Sequence, residues 1–201
     1  MTFSERANQL FLEATTAYHK TDHVNATMPQ PYTSGTIEAV LFQKNWIDAV
    51  QWHLEDIIRK PDIDPAEALV IKRRIDASNQ DRTDLVERID EYFYDSFCKV
   101  TPLTDAPINT ESPAWAIDRL SILVLKLWHM KAETERLDAN KEHLERCTQK
   151  LNVLVEQQKD LSSAIDRLLA DYESGLRCMK VYRQMKMYND PSLNPSLYAK
   201  K

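Results

Sequence analysis

The sequence predicts an all-α fold, a single-domain antiparallel bundle of about five helices with a very long C-terminal helix. Only 2 of the 201 residues are glycine, so the tight turns of sheet-rich folds have few suitable positions. Apolar residues recur at helical spacing along most of the chain. Prolines and capping residues divide this pattern into five segments.

The N-terminal part is predicted as one helix followed by a connector, residues 1–35. Thr2 and Glu5 have the spacing of a capping box, which begins the first helix. The prolines of residues 21–35 indicate a connector. The second helix is predicted over about residues 36–59, and its two apolar rows indicate neighbours on both sides.

The third and fourth helices begin with the same signal, a capping residue followed by proline. Asp64 and Pro65 begin the third helix, which keeps helical spacing almost to Cys98. Ser112 and Pro113 begin the fourth helix. This helix is apolar almost all round, so we expect it to be the most central.

The fifth helix is predicted to be continuous and coiled-coil-like, because apolar residues alternate at spacings of three and four from Leu144 across Gly175. Asn189 ends the pattern. A helix of roughly 48 residues is about 70 Å long and would overhang the bundle, which predicts a homodimer. The bundle then comprises residues 36–189, and residues 190–201 are predicted as an extended tail.

Composition and cysteine usage indicate a cytoplasmic protein. The N-terminus lacks the apolar stretch of a secretory signal, and the longest apolar run, residues 120–130, is too short to span a membrane. Cys98, Cys147 and Cys178 are isolated and odd in number, which is typical of reduced thiols. The net charge of -5 argues against nucleic-acid binding. We therefore predict neither a nucleic-acid partner nor a membrane partner.

Several polar residues interrupt helix rows that otherwise indicate core. Unpaired buried charge is costly, so such groups must pair if they are buried. Arg82 stands in an isoleucine row, and we expect Asp118 as its first partner, with Glu55 or Asp56 of the second helix behind it. The candidate polar pocket, between helices two, three and four, consists of His53, Glu55, Asp56, Asp76, Asn79, Gln80, Arg82, Asp118 and Arg119.

Two interpretations of these polar residues stay open. They form an internal network that sets helix register, or a pocket whose arginines hold an anion while His53 or a carboxylate moves a proton. A second group of cations, the candidate anion patch, is either the charge favoured at a helix C-terminus or a phosphate or nucleotide-sugar site. The patch consists of Arg177, Lys180, Arg183 and Lys186.

Metal and cofactor motifs are missing from the sequence. It has no Cys-x-x-Cys and no His-Glu-x-x-His motif, which would indicate structural zinc or a zinc protease. It also lacks the two helices with a Glu-x-x-His motif that a di-iron bundle needs. His19, His23 and His129 have no partner spacing, and we expect them at the surface or packed. Dinucleotide fingerprints, Walker loops and nucleophile elbows each need several glycines at fixed spacing, so the low number of glycines also excludes these motifs. We predict no metal and no cofactor.

Three strings resemble an uncharacterised bacterial family catalogued as a domain of unknown function. They are W-H-x-E-D at residues 52–56, K-R-x-I-D-x-x-N-Q-x-R at residues 72–82, and E-S-P-x-x-x-I-D-R-L-S-I at residues 111–122. The resemblance covers about residues 36–195. It implies an all-helical fold and no established activity, so no catalytic role is carried over.

The function class stays open at this level, and the sequence does not decide whether the protein is an enzyme. The heptad row predicts a soluble, self-associating interaction or scaffold protein. The alternative is a small enzyme or binding protein for an anionic metabolite, phosphorylated or a nucleotide-sugar, in the candidate polar pocket. Convergence of that pocket's residues on an open cavity would favour the alternative, and internal pairing would favour the scaffold.

Overall fold

The computed structural model describes residues 1–185, 187 and 190–199, and this part of the chain contains six helices and no β-strand. The predicted all-α fold class is therefore confirmed. No helix of the described residues is long and apolar enough to cross a membrane. The helices are α1 (Phe3–Tyr18), α2 (Ile37–Ile58), α3 (Pro65–Phe97), α4 (Pro113–Thr134), α5 (Lys141–Glu173) and α6 (Pro195–Tyr198).

Local capping explains where most of these helices begin. Thr2 and Glu5 form the predicted capping box of α1. The Asp64 carboxylate accepts hydrogen bonds from two backbone N–H groups of the first turn of α3. Ser112 precedes α4 but does not cap it, because its hydroxyl donates to Asp90 of α3 at 2.8 Å. This bond ties the start of α4 to α3.

The prediction of a very long C-terminal helix is wrong. α5 ends at Glu173, and Gly175 has φ +72°, the left-handed conformation that favours glycine. A Cβ on Gly175 would lie 2.9 Å from the Thr101 carbonyl oxygen, and the Leu103 N–H donates to the Gly175 carbonyl at 2.9 Å. Both α3 and α5 have 33 residues, which is about 50 Å. The overhang from which the homodimer was predicted is therefore absent.

The tail also differs from its prediction. Residues 195–198, predicted as extended, form the short helix α6, whose first turn is capped by the Asn194 side chain. Lys186 and Asn189 lie outside the described residues.

The main core lies where α1, α2, α3 and α4 meet. Leu120 of α4, Trp46 of α2 and Ile75 of α3 are buried, as predicted. Leu151 and Leu161 of α5, which we also expected in the core, are only half-buried. The reason is that α5 packs chiefly against α4 and only lightly against α1, so one helix covers most of its apolar row.

Candidate functional site

A buried network of four charged residues joins α2, α3 and α4. The Lys44 ammonium contacts the Asp48 carboxylate, and it also lies 2.7 Å from Asp118 Oδ1. Arg82 Nε donates to Asp48 Oδ1 at 2.6 Å, and Arg82 Nη2 donates to Asp118 Oδ1 at 3.3 Å. The predicted Arg82–Asp118 pair is therefore present. The expectation of Glu55 or Asp56 as the partner from α2 is wrong, because Asp48 takes that place. Neither Asp48 nor Lys44 was predicted, and both side chains are fully buried.

The network is balanced in charge and in hydrogen bonds. Ser121 Oγ donates to Asp48 Oδ2 at 2.6 Å. Desolvation alone would lower the pKa of Arg82, but the attraction of Asp48 and Asp118 outweighs it, and the pKa is raised. Two cations and two carboxylates thus compensate one another inside the bundle, which is what burial of charge requires.

A cleft of about 350 Å³ lies over this network, and Glu55, Asp56 and Arg82 of the candidate polar pocket line it. Besides Arg82, one other cation lines the cleft, Arg59, and it lies 2.8 Å from the Glu55 carboxylate. Each cation that faces the cleft therefore already has a carboxylate partner. This arrangement favours internal pairing over the capture of an anion.

The remaining residues of the candidate polar pocket do not converge there. Asp76 contacts Lys72 on the exposed face of α3, and the Gln80 amide donates to Asp84 at 2.7 Å. Arg119 pairs with Glu111 at the surface. Asn79 accepts a hydrogen bond from Gln51 at 2.8 Å, and His53 belongs to a different cluster. The prediction of one pocket for all nine residues is wrong because they lie on different faces of α2, α3 and α4.

The candidate anion patch lies on the segment after α5 and not on a helix end. Arg177 Nε lies 2.9 Å from the Asp171 carboxylate. Arg183 pairs with Glu87 and Glu91 of α3. Lys180 lies over the ring of Tyr182, and Lys186 is outside the described residues. Both described arginines are therefore neutralised by acids.

Three histidines that the sequence does not connect meet at one end of α1, α2 and α4. His19 Nε2 and His53 Nε2 are 3.5 Å apart. One ring nitrogen from each of His19, His53 and His129 lies within 4.8 Å of the others. His19 and His129 are packed against other side chains, which is one of the two positions expected for them, but their spacing in the sequence did not predict that they meet His53. We call these three residues the histidine cluster.

Hydrogen bonding determines the tautomer of His19. Its Nδ1 is 2.8 Å from the Thr15 carbonyl oxygen, and a carbonyl oxygen can only accept. Nδ1 therefore carries the proton, and Nε2 presents its lone pair toward His53. Outer hydrogen bonds of this kind orient histidines that bind metals.

Aromatic rings hold the histidine cluster in place. Tyr18 stacks on His53 with ring centroids 5.2 Å apart, and Trp52 stacks on His129 at 4.7 Å. Trp128 packs beside His19 at 5.0 Å. These contacts restrict the imidazoles to a few orientations and keep much of the surrounding water away.

Asp22 adds a carboxylate to the histidine cluster. Its Oδ1 lies 3.6 Å from His53 Nε2 and 4.0 Å from His19 Nε2. Its backbone has φ +48°, a left-handed conformation that aspartate tolerates better than most residues. The Asp22 N–H donates to the Tyr18 carbonyl at 2.9 Å, which closes the end of α1. The side chain is 58% exposed, so this carboxylate is accessible.

Burial disfavours the charged form of two imidazoles of the cluster, His53 and His129. Burial, helped by the neighbouring histidines, lowers the pKa of His129 to about 4, and burial also lowers the pKa of His53. His129 Nε2 is buried and has no hydrogen-bond partner among the described residues. Leaving such an atom unsatisfied costs about 1–3 kcal/mol. His53 and His129 therefore favour the uncharged imidazole, and Nε2 of His129 lacks a partner among the described residues.

We expect the stability of the metal-free protein to rise with pH between about 4 and 6.5. In this window unfolded His129 binds a proton that the folded residue excludes, so stability is lost as the pH falls through the lowered pKa. The substitution His129→Phe keeps a ring against Trp52, removes the titrating group, and should reduce this slope without lowering stability at pH 7. Urea unfolding in a chelator across the window measures both effects, and an unchanged slope would contradict the assignment.

Comparison with known proteins gives a family and no further relative. Residues 38–181 match the family described as Protein of unknown function (DUF4254). The match includes His53 and His129 and begins after His19 and Asp22. No curated protein and no solved structure matches the chain.

Proposed function

For this chain, which belongs to the DUF4254 family of proteins of unknown function, we propose the binding of one divalent transition-metal ion by His19, His53 and His129. The observation that carries the proposal is that His129, whose buried Nε2 lacks a hydrogen-bond partner among the described residues, brings a ring nitrogen within 4.8 Å of those of His19 and His53. A buried polar atom without a partner in a native fold requires an explanation, and a bound ion is one.

The spacing of the donors supports a small ion. Two nitrogens bound tetrahedrally to zinc at 2.0–2.1 Å lie about 3.3–3.4 Å apart. His19 Nε2 and His53 Nε2 are 3.5 Å apart, so they need little movement. The His129 nitrogen lies within 4.8 Å of the other two, and closing that gap requires a shift of at most about 1.5 Å. Asp22 can supply a fourth ligand.

The chemistry of the donors limits the identity of the ion. Imidazole nitrogen suits zinc, iron, nickel and copper, whereas magnesium and calcium prefer oxygen. Three imidazoles with an accessible fourth position resemble the centres in which a metal activates water. The exposed Asp22 carboxylate can occupy that fourth position, or water or a substrate can take its place. The low pKa of His129 reduces competition from protons.

Zinc titration against a chromophoric chelator tests the proposal. We expect the wild-type protein to bind one zinc ion per chain. Loss of an outer hydrogen bond to a ligand already weakens metal sites by about 10–100-fold, so His53→Ala and His129→Phe should weaken binding by at least about 100-fold. The matched control is His23→Ala, since His23 is exposed and outside the cluster. Equal zinc affinity in all four proteins would refute the site.

A second set of donors supplies the other control. Glu133, His143 and Cys147, near the turn between α4 and α5, also bring one ligand atom each within 4.8 Å. His143 Nε2 lies 2.9 Å from Glu133 Oε2 and 3.3 Å from Cys147 Sγ. This nitrogen of His143 therefore already contacts the other two donors of its set, whereas His129 Nε2 has no hydrogen-bond partner among the described residues. We expect His143→Ala to retain zinc. Loss of zinc in this variant alone would show that the ion binds at Glu133, His143 and Cys147 instead.

The self-associating scaffold in the cytoplasm remains a second proposal, now without the argument from helix length. One observation favours it, namely that Leu144, Leu151 and Leu154 of α5 are only half-buried. A coiled-coil contact with a second copy would cover this row. Light scattering at micromolar concentration should give a dimeric mass, and a monomeric mass would remove the proposal.

A further inference from the structure

A groove of about 640 Å³ runs between α4 and the first half of α5, with Trp52 of α2 at one side. This volume lies within the range of small-molecule sites. Its apolar surface comes from Trp52, Met130, Val153 and Leu154. Val153 is 53% exposed, and the other three are half-buried. The groove thus leaves a continuous apolar surface open to solvent.

The rim of the groove is positively charged, although the whole chain has a net charge of -5. Lys126, Arg146 and Lys150 line it. Lys126 and Lys150 have no ion-pair partner in the part of the chain that the structure describes, and Arg146 makes only a 3.6 Å contact with exposed Glu142. These cations are therefore available to an incoming anion.

The acid of the groove is already neutralised. Glu133 Oε2 lies 3.1 Å from Arg136 Nη1 and 2.9 Å from His143 Nε2. Bonds to Arg136 and His143 lower the pKa of the Glu133 carboxyl, so it stays ionised and engaged. An occupant of the groove accordingly meets two unpaired ammonium groups and an apolar wall.

We infer that this groove binds an amphiphile with one apolar chain or ring and a carboxylate or phosphate head group. The apolar part lies against Val153, Leu154 and Trp52, and the head group lies between Lys126 and Lys150. Cationic rims select for the anion, and apolar area supplies most of the affinity. The groove shares His129 with the histidine cluster, and Trp52, which stacks on His129, also lines it, but this binding does not require the metal.

Calorimetric titration with octyl phosphate, in a chelator and below the concentration at which it aggregates, tests the inference separately from metal binding. We expect one molecule per chain, about fourfold tighter binding for each added methylene until the groove is filled, and at least tenfold weaker binding of octanol. The double substitution Lys126→Glu with Lys150→Glu should weaken octyl phosphate at least tenfold. Lys159 lies on α5 outside the groove, so Lys159→Glu should change the affinity for octyl phosphate by less than twofold.

A matched pair of valines tests the apolar wall. Val153 and Val155 are 53% and 52% exposed on the same helix, and Val153 alone of the two lines the groove. We expect Val153→Glu to weaken octyl phosphate at least tenfold and Val155→Glu to leave it within twofold. Equal effects of the two substitutions, equal binding of octanol and octyl phosphate, or a dimer that Val153→Glu dissociates would each overturn the inference.

Discussion

Replacing Lys44 by methionine is expected to lower the free energy of unfolding by about 3–5 kcal/mol, the cost of breaking a buried ion pair on one side. Lys44 contacts two carboxylates, Asp48 and Asp118, and Arg82 is the second cation of the network. Without Lys44, one guanidinium faces two carboxylates in a buried site. Urea unfolding at pH 7 measures the loss.

Two further variants identify the cause of that loss. Lys44→Met combined with Asp118→Asn restores the charge balance, so it should recover much of the stability. Lys72→Met is the matched control, because Lys72 and Asp76 have the same spacing of four residues but lie at the surface. We expect it to cost less than about 1 kcal/mol. Equal losses for Lys44→Met and Lys72→Met would show that the network is not buried in solution.

Saturating zinc is expected to stabilise the metal-free protein strongly. An ion present at 1,000 times its dissociation constant adds about 4 kcal/mol if it binds only the folded state. For a chain of this size that corresponds to a rise in Tm of roughly 8–16 °C. At the same zinc concentration, binding that is at least about 100-fold weaker should leave His53→Ala with at most about 1.4 kcal/mol of this stabilisation, because that variant removes a ligand.

The control for this shift is His23→Ala, which should respond to zinc like the wild type. Asp22→Asn tests the fourth ligand, since asparagine also tolerates the left-handed backbone but lacks the charge. We expect a smaller shift in this variant. A Tm that zinc does not change in the wild type would contradict the metal proposal.

Local signals predicted most helix boundaries but not the end of α5. The starts of α1, α3 and α4 follow from caps and prolines within the same few residues. The break at Gly175 depends on the distant Thr101 and Leu103, which approach too closely for a side chain. Because the apolar spacing stays in register across Gly175, the pattern alone does not reveal the break.

The polar network was partly predictable for the same reason. A charge within an apolar row signals a buried partner, and this reasoning led from Arg82 to Asp118. Lys44 carries the same signal, since it lies in the row of α2 between Leu41 and Ile47, and Asp48 follows one turn later. Both residues were therefore predictable from the apolar row of α2.

The histidine cluster could not be predicted from spacing. His19, His53 and His129 come from three helices, and they meet only because α1, α2 and α4 pack with a particular rotation and register. No motif within one helix encodes that arrangement. The backbone of Asp22, with φ +48°, likewise depends on how α1 ends.

X-ray absorption at the zinc edge of the one-to-one complex tests the metal centre most directly. We expect scattering from three imidazoles, with nitrogen or oxygen ligands at about 2.0–2.1 Å and no sulfur, as the histidine cluster with Asp22 or water requires. A sulfur ligand at about 2.3 Å would place the ion at a cysteine, such as Cys147 of the second set of donors. That result, or fewer than three imidazoles, would contradict binding by His19, His53 and His129.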